Sequence, residues 1–255
     1  MRTAALVAFA LGAAHAGPAR AQDSAAARDT TAVRRVAIDA MALRPTQLLY
    51  QMLLERDNGS TILGTRTIDV SRTTYVGTPA WLLVETRSVT GVPAVDSLYA
   101  DGADLHALHW SAAQGDAHLV MEFRGDTAYG GTSAPPGRHS SIASVPAGTL
   151  VNGAMLENVL RLLPLQPTFE DSTTTLSVTL GDLTVLPTRI AVIGEDHVRV
   201  AAGTFDCWVV SVHAGDTARG LYWVTKRDPI VVRSALDVPM LGGAQLVTEL
   251  TRIAR

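Results

Sequence analysis

The sequence predicts a mainly β fold, an antiparallel meander of strands interrupted once by a helix. Three observations predict it. From Thr46 onward, apolar and polar residues alternate with a period of two in run after run. The runs are short and are punctuated by turn signals such as Asp57-Asn58-Gly59, where Asn and Gly both accept positive φ. Only one stretch carries a helical stripe, and strands lie on both sides of it, so the βαβα alternation of a parallel sheet is missing.

Residues 1–21 read as a signal peptide. Arg2 supplies the n-region charge, Ala4 to Ala14 is an apolar run too short to span a bilayer as a mature helix, and Ala19-Arg20-Ala21 is a small-x-small cleavage site. Cleavage there starts the mature chain at Gln22; Ala14-His15-Ala16 is the alternative site. The implied location is the periplasm, or the medium beyond it. No cysteine sits near either site to carry a lipid anchor. Residues 22–45 are expected to be a mobile leader, polar and Ala-rich to Arg34 and closed by Pro45.

Residues 46–255 are expected to form one domain. Thr46–Arg56 and Ser60–Ser71 are the arms of a first hairpin, with Ile62, Ile68 and Val70 expected on one face. Ala80–Val89 follows, then short strands near Ala94–Ala100, Asp104–Ser111 and Ala117–Arg124. The last alternates cleanly: Leu119, Met121 and Phe123 face one way, His118, Val120, Glu122 and Arg124 the other. Gly130 to Leu150, rich in Gly, Ser, Ala and Pro, reads as a long loop and a candidate flap. The helix is expected over Gly153–Leu163, N-capped by Asn152 and stopped by Pro164. Met155, Leu156, Val159, Leu160 and Leu163 form its apolar stripe; Glu157, Asn158 and Arg161 lie off it. Further strands follow at Thr173–Leu180, Arg189–Gly194, Val198–Ala201, Thr204–His213, Gly220–Lys226, Ile230–Leu236 and Gln245–Ile253, with Glu195-Asp196-His197 read as a hairpin turn.

Composition excludes several classes of function. Removing Arg2 and Arg20 takes the 21 basic residues to 19, against 24 acidic ones, and no basic cluster remains for nucleic acid. Aromatic residues make up 5%, too few for the girdles of an outer-membrane barrel, and no later stretch is long and apolar enough for a membrane helix. The single cysteine, Cys207, forms no internal disulfide and reads as a small buried apolar residue.

No nucleophile elbow, zinc-protease helix, Cys-x-x-Cys, phosphate loop or dinucleotide fingerprint is present. His106 and His109 stand three apart, so on a strand they point to opposite faces and share no metal unless a bulge intervenes. The two Gly-Asp-Thr-Ala segments, at Gly125–Ala128 and Gly215–Ala218, read as turns rather than as an aspartic-protease pair. His139-Ser140-Ser141 is adjacency in sequence, not a dyad. No catalytic residue, metal ligand or cofactor is therefore assigned, and a non-enzymatic protein is expected. What remains is apolar surface. Trp81, Trp110, Met121, Phe123, Met155, Val159, Leu160, Trp208 and Trp223 either fill the core or line an apolar cleft beneath the helix that suits a lipophilic ligand.

Gly194-x-Asp196, then Val198-Arg199-Val200-Ala201-Ala202-Gly203-Thr204-Phe205, a strand, and Leu221-Tyr222-Trp223-Val224, resemble the C-terminal half of a bacterial envelope family, domain of unknown function 3108. The resemblance covers roughly Thr46 to Ile253. It implies the fold of the lipoprotein carriers LolA and LolB: a strongly curved antiparallel sheet, an incomplete barrel, with a helix packed in its concave face. Those carriers hold acyl chains under the helix, so the resemblance implies an exported binding or carrier protein for a lipophilic ligand. An envelope structural or assembly protein acting through a protein partner is the alternative, and an uncharacterised hydrolase the third.

Overall fold

The computed structural model of the 255-residue chain describes residues 38–254 apart from 135–136, 152, 180–181, 216–217 and 239–241. The expected signal peptide, most of the expected leader, the expected cap Asn152 and the Asp216-Thr217 turn lie outside the described residues.

One 15-stranded sheet carries the fold. In chain order its strands are β1 (Thr46–Arg56), β2 (Gly59–Tyr75), β3 (Thr78–Val89), β4 (Val92–Asp101), β5 (Ala107–Gln114), β6 (Ala117–Arg124), β7 (Thr127–Ala134), β8 (Gly137–Ser144) and β9 (Leu150–Val151). The helix α1 (Ala154–Leu160) follows, then β10 (Glu170–Thr179), β11 (Asp182–Val200), β12 (Gly203–Ala214), β13 (Ala218–Thr225), β14 (Val231–Val238) and β15 (Ala244–Ala254). The spatial order runs from β8 down to β1, then from β15 down to β9. Two meanders are thus joined where β1 pairs with β15, antiparallel like every neighbouring pair except β9 and β10. The sheet is strongly curved and does not close into a barrel; β8 and β9 are its two ends.

Alternation decides what the concave face holds. Leu48, Tyr50, Met52 and Leu54 alternate along β1 and are all buried. Ile68 and Val70 on β2, then Trp81 and Leu83 on β3, continue that layer through cross-strand pairing. All seven residues of α1 are buried, and its apolar residues belong to the same core cluster as those of the sheet. The helix therefore fills the cup.

Five expectations are corrected. Ile62 does not share a face with Ile68 and Val70. The β1–β2 register shifts between Met52 and Leu53, and beyond that bulge Ile62 pairs with Leu53 and is 65% exposed. Residues 130–150 are not a long loop: β7 and β8 form a hairpin there, followed by β9. Its small residues serve close strand approach, since a Cβ at Gly130 would lie 2.0 Å from the Val120 carbonyl oxygen. Glu195-Asp196-His197 is not a turn but part of the 19-residue β11; the turn comes at Ala201-Ala202. The leader is not loose throughout, because Ala40 and Leu43 sit in the core around a short 3-10 turn capped by the Asp39 side chain. The helix is shorter than Gly153–Leu163, and its off-stripe Glu157 and Asn158 are buried with the rest.

Gly64, opposite Met52 at the bulge, approaches β3 so closely that a Cβ would lie 1.7 Å from the Ser88 carbonyl oxygen. Gly64→Ala is expected to cost about 2–3 kcal/mol of unfolding free energy in urea titrations. Gly137→Ala, with no heavy atom within 4 Å of its Cβ, is expected to change it by less than about 0.5 kcal/mol.

Candidate functional site

A row of charges crosses the floor of the cup. Arg66 keeps the two-residue period of Ile68 and Val70 and so projects inward from β2; Glu85 follows Trp81 and Leu83 inward on β3. Both are buried, at 6% and 4% exposure. The Arg66 guanidinium donates from Nη2 to Glu85 Oε2 at 2.7 Å and from Nη1 to Glu157 Oε1 at 2.5 Å. Glu157 comes from α1, so this pair ties the helix to the sheet. The Tyr50 ring lies under the guanidinium, 5.7 Å from centroid to Cζ, and the Tyr50 hydroxyl donates to the Val231 carbonyl. On its other side Glu85 accepts from Arg87 Nε at 3.2 Å, and Arg87 also pairs with Asp96 of β4.

Burial works against every charge in this row, and the pairing decides which survive. Burial pushes Glu85 up, but Arg66 and then Arg87 outweigh it and hold the carboxyl below its ordinary value. Burial pushes Glu157 up too, and there Arg66 does not compensate fully. Glu157 Oε2 and Arg66 Nε have no partner among the described residues. Asp96 is raised by burial to about 6 despite Arg87. Tyr50 and Tyr222 are held neutral by burial.

The helix has little to hold it apart from docking. It is two turns long, and its N-cap, Gly153, offers no side-chain bond. Besides Glu157, ties among the described residues include Arg161 Nε to the Pro229 carbonyl at 2.8 Å and the Val151 amide to Met155 Sδ at 3.2 Å.

Of the residues proposed for an apolar cleft, Trp81, Trp110, Met121, Met155, Val159 and Leu160 come together in one buried cluster, with Phe123, Trp208 and Trp223 partly buried against it. Trp208 pairs with the buried Val224, and its ring lies 4.4 Å from Lys226 Nζ. Trp223 is turned away from the cup. Strand alternation sets it opposite Tyr222 and Val224, its indole N–H donates to Asp196, and Arg233 covers its ring. It is thereby corrected from the cleft set. Sequence reasoning missed Arg66, Glu85 and Glu157. The signal was present in Arg66-x-Ile68-x-Val70 and Trp81-x-Leu83-x-Glu85, where the buried period runs on into a charge.

Elsewhere, His109 Nδ1 bonds Glu122 at 2.7 Å, and the Tyr75 hydroxyl donates to the same carboxylate. Asp101, Asp104 and His106 bring one potential metal-ligand atom each within 4.8 Å of one another at the β4–β5 turn, where His106 already pairs with Asp104. Cys207 is buried, and burial, with Asp196 and Asp206, pushes its thiol up to about 12, far from a thiolate nucleophile. Among the described residues no helix is long and apolar enough to cross a membrane.

The model of the family "Protein of unknown function (DUF3108)" matches residues 50–247. Among solved structures the chain is similar to a β-barrel-like protein of domain of unknown function DUF1849 from Brucella abortus. The TM-score is 0.54 at 13% identity, over 86% of this chain and 99% of that one, which speaks to the fold alone. It also aligns with a protein of YmcC-like fold from Bacteroides fragilis, at TM-score 0.35 and 11% identity over 84% and 97% of the two chains. No curated protein matches the chain.

Asp96 makes the pH dependence of this site testable. Its folded-state pKa is raised, so the folded chain holds the proton more tightly than the unfolded one. The stability it contributes is complete below the ordinary 3.8 and is lost as pH rises through about 6. That span corresponds to about 3 kcal/mol. The unfolding free energy of the wild type relative to Asp96→Asn is expected to fall by about that much between about pH 3 and pH 7. A difference that stays flat with pH contradicts the assignment.

Proposed function

The chain belongs to the DUF3108 family of proteins of unknown function, and from that footing we propose that it is an exported, non-enzymatic binding or carrier protein. Its cup takes a lipophilic ligand in the space that α1 fills in the closed state, and its place of work is the periplasm.

The observation that carries this reading is the way the helix is held. An interior built only for stability does well with apolar residues, since replacing a buried ion pair by well-packed apolar side chains is often neutral or stabilising. Here a charged pair, Arg66–Glu157, ties a short helix over an apolar floor that includes Trp81, Leu83, Trp110 and Met121. That is the construction of a plug that docks in one register and can leave. A plug that leaves exposes apolar surface, and an acyl chain is the ligand chemistry that re-covers it. The fold analogy with LolA and LolB points the same way but does not by itself fix a function.

A second reading, an assembly protein acting through a partner, is favoured by one observation: among the described residues β8 ends the sheet, hydrogen-bonded to β7 on one side.

Delipidated protein titrated with N-phenylnaphthylamine, an uncharged apolar fluorophore, tests the leading reading. Saturable uptake near one per chain, displaced by an acyl chain and quenching Trp81 and Trp110, is expected. No uptake, together with an unliganded mass for protein taken from its own envelope fraction, moves the assignment to partner binding.

A further inference from the structure

The helix does more than cover the floor: it brings a carboxylate to a buried arginine. We propose, resting on the lipophilic-ligand reading above, that the ligand is an amphiphile with a single carboxyl head group, which takes the place at Arg66 that Glu157 occupies while the helix is docked.

Three features of the site support this. Arg66 is positioned without the helix. Its Nη2 is held by Glu85 and its guanidinium rests over Tyr50, both on the sheet, while Nη1 points to Glu157. When α1 leaves, Nη1 therefore keeps its direction into the opened cup and loses its acceptor. A buried guanidinium N–H without an acceptor is costly, so a head group that accepts there is favoured over one that does not. Second, Glu157 is held incompletely, because Oε2 has no partner among the described residues. Third, the charge tally selects the head group. With Glu157 withdrawn, the inward row keeps Arg66 and Arg87 against Glu85 and Asp96. One carboxylate restores the closed-state tally. A phosphomonoester dianion would bring excess negative charge beside Glu85, and a neutral head would leave Nη1 without its charge-assisted bond. The tail of such a ligand would lie where Met155, Val159 and Leu160 lie in the closed state.

The test is a fluorescence titration of the delipidated mature protein with cis-parinaric acid, the matching alcohol, and an acyl phosphomonoester of similar length. The wild type is expected to bind the acid about tenfold or more tighter than the alcohol and tighter than the phosphomonoester. Glu157→Gln weakens the tie of the plug and is expected to tighten acid and alcohol together, keeping their ratio. Arg66→Gln is expected to bring the ratio to about one. If that variant does not fold, the wild-type ratio decides. Binding with equal affinity for acid and alcohol, a phosphomonoester as tight as the acid, or affinities unmoved by Glu157→Gln overturns the head-group assignment and leaves the lipophilic reading standing. Binding of none of the three removes both.

Discussion

A guanidinium buried in a β cup constrains everything around it. Arg66 cannot be charged there alone, since the interior penalises an unpaired ion by several kcal/mol. Its two partners come from different layers, Glu85 from the sheet and Glu157 from the helix. Neither layer completes the site by itself. Satisfying Arg66 therefore requires β2 and β3 in register, so that both inward residues meet, and α1 in the cup with its fourth residue, Glu157, turned toward the floor. The bulge at Gly64 serves the same end. Upstream of it β2 presents Ile62 outward; downstream the strand carries Arg66, Ile68 and Val70 inward.

The topology explains how a helix comes to lie there. Each meander is built from local hairpins, and the chain leaves that pattern only at β9, α1 and β10, where the parallel pairing of β9 with β10 needs a crossover. That crossover is α1, and it passes through the concave face. Its apolar residues complete the core with Trp81 and Met121, while its charged residue meets Arg66. The proposed carrier role requires a cover that is specific when closed and not too strongly held. Apolar packing supplies adhesion without direction, and the ion pair supplies direction with little net adhesion.

The strands were legible in the sequence because a half-buried strand writes its period directly. Leu119, Met121 and Phe123 against His118, Val120 and Glu122 is such a case, and the Asp57-Asn58 turn followed by Gly59 is another. The failures have physical causes. Gly130 and its small neighbours look like a loop, yet they permit close strand contact. Glu195, Asp196 and His197 look like a turn, yet cross-strand partners satisfy them: Lys226, the Trp223 indole and Asp206. Ala40 and Leu43 have no period to betray their burial. Glu157 sits off the apolar stripe, and only tertiary structure shows that the polar side of this helix faces a buried cation. The burial of Trp81, Met121 and the helix stripe was thus readable, whereas the charged centre beside them was not.

Amide hydrogen exchange across the chain, in wild type and Glu157→Gln, tests most directly whether docking of α1 depends on Glu157 meeting Arg66, since the variant leaves a buried guanidinium without its charged partner. Amides of residues 155–160 are expected to lose protection by about tenfold or more in the variant while those of β1 and β15 keep theirs. Unchanged protection of the helix, or an equal loss in the helix and in the β1–β15 pair, would contradict that dependence.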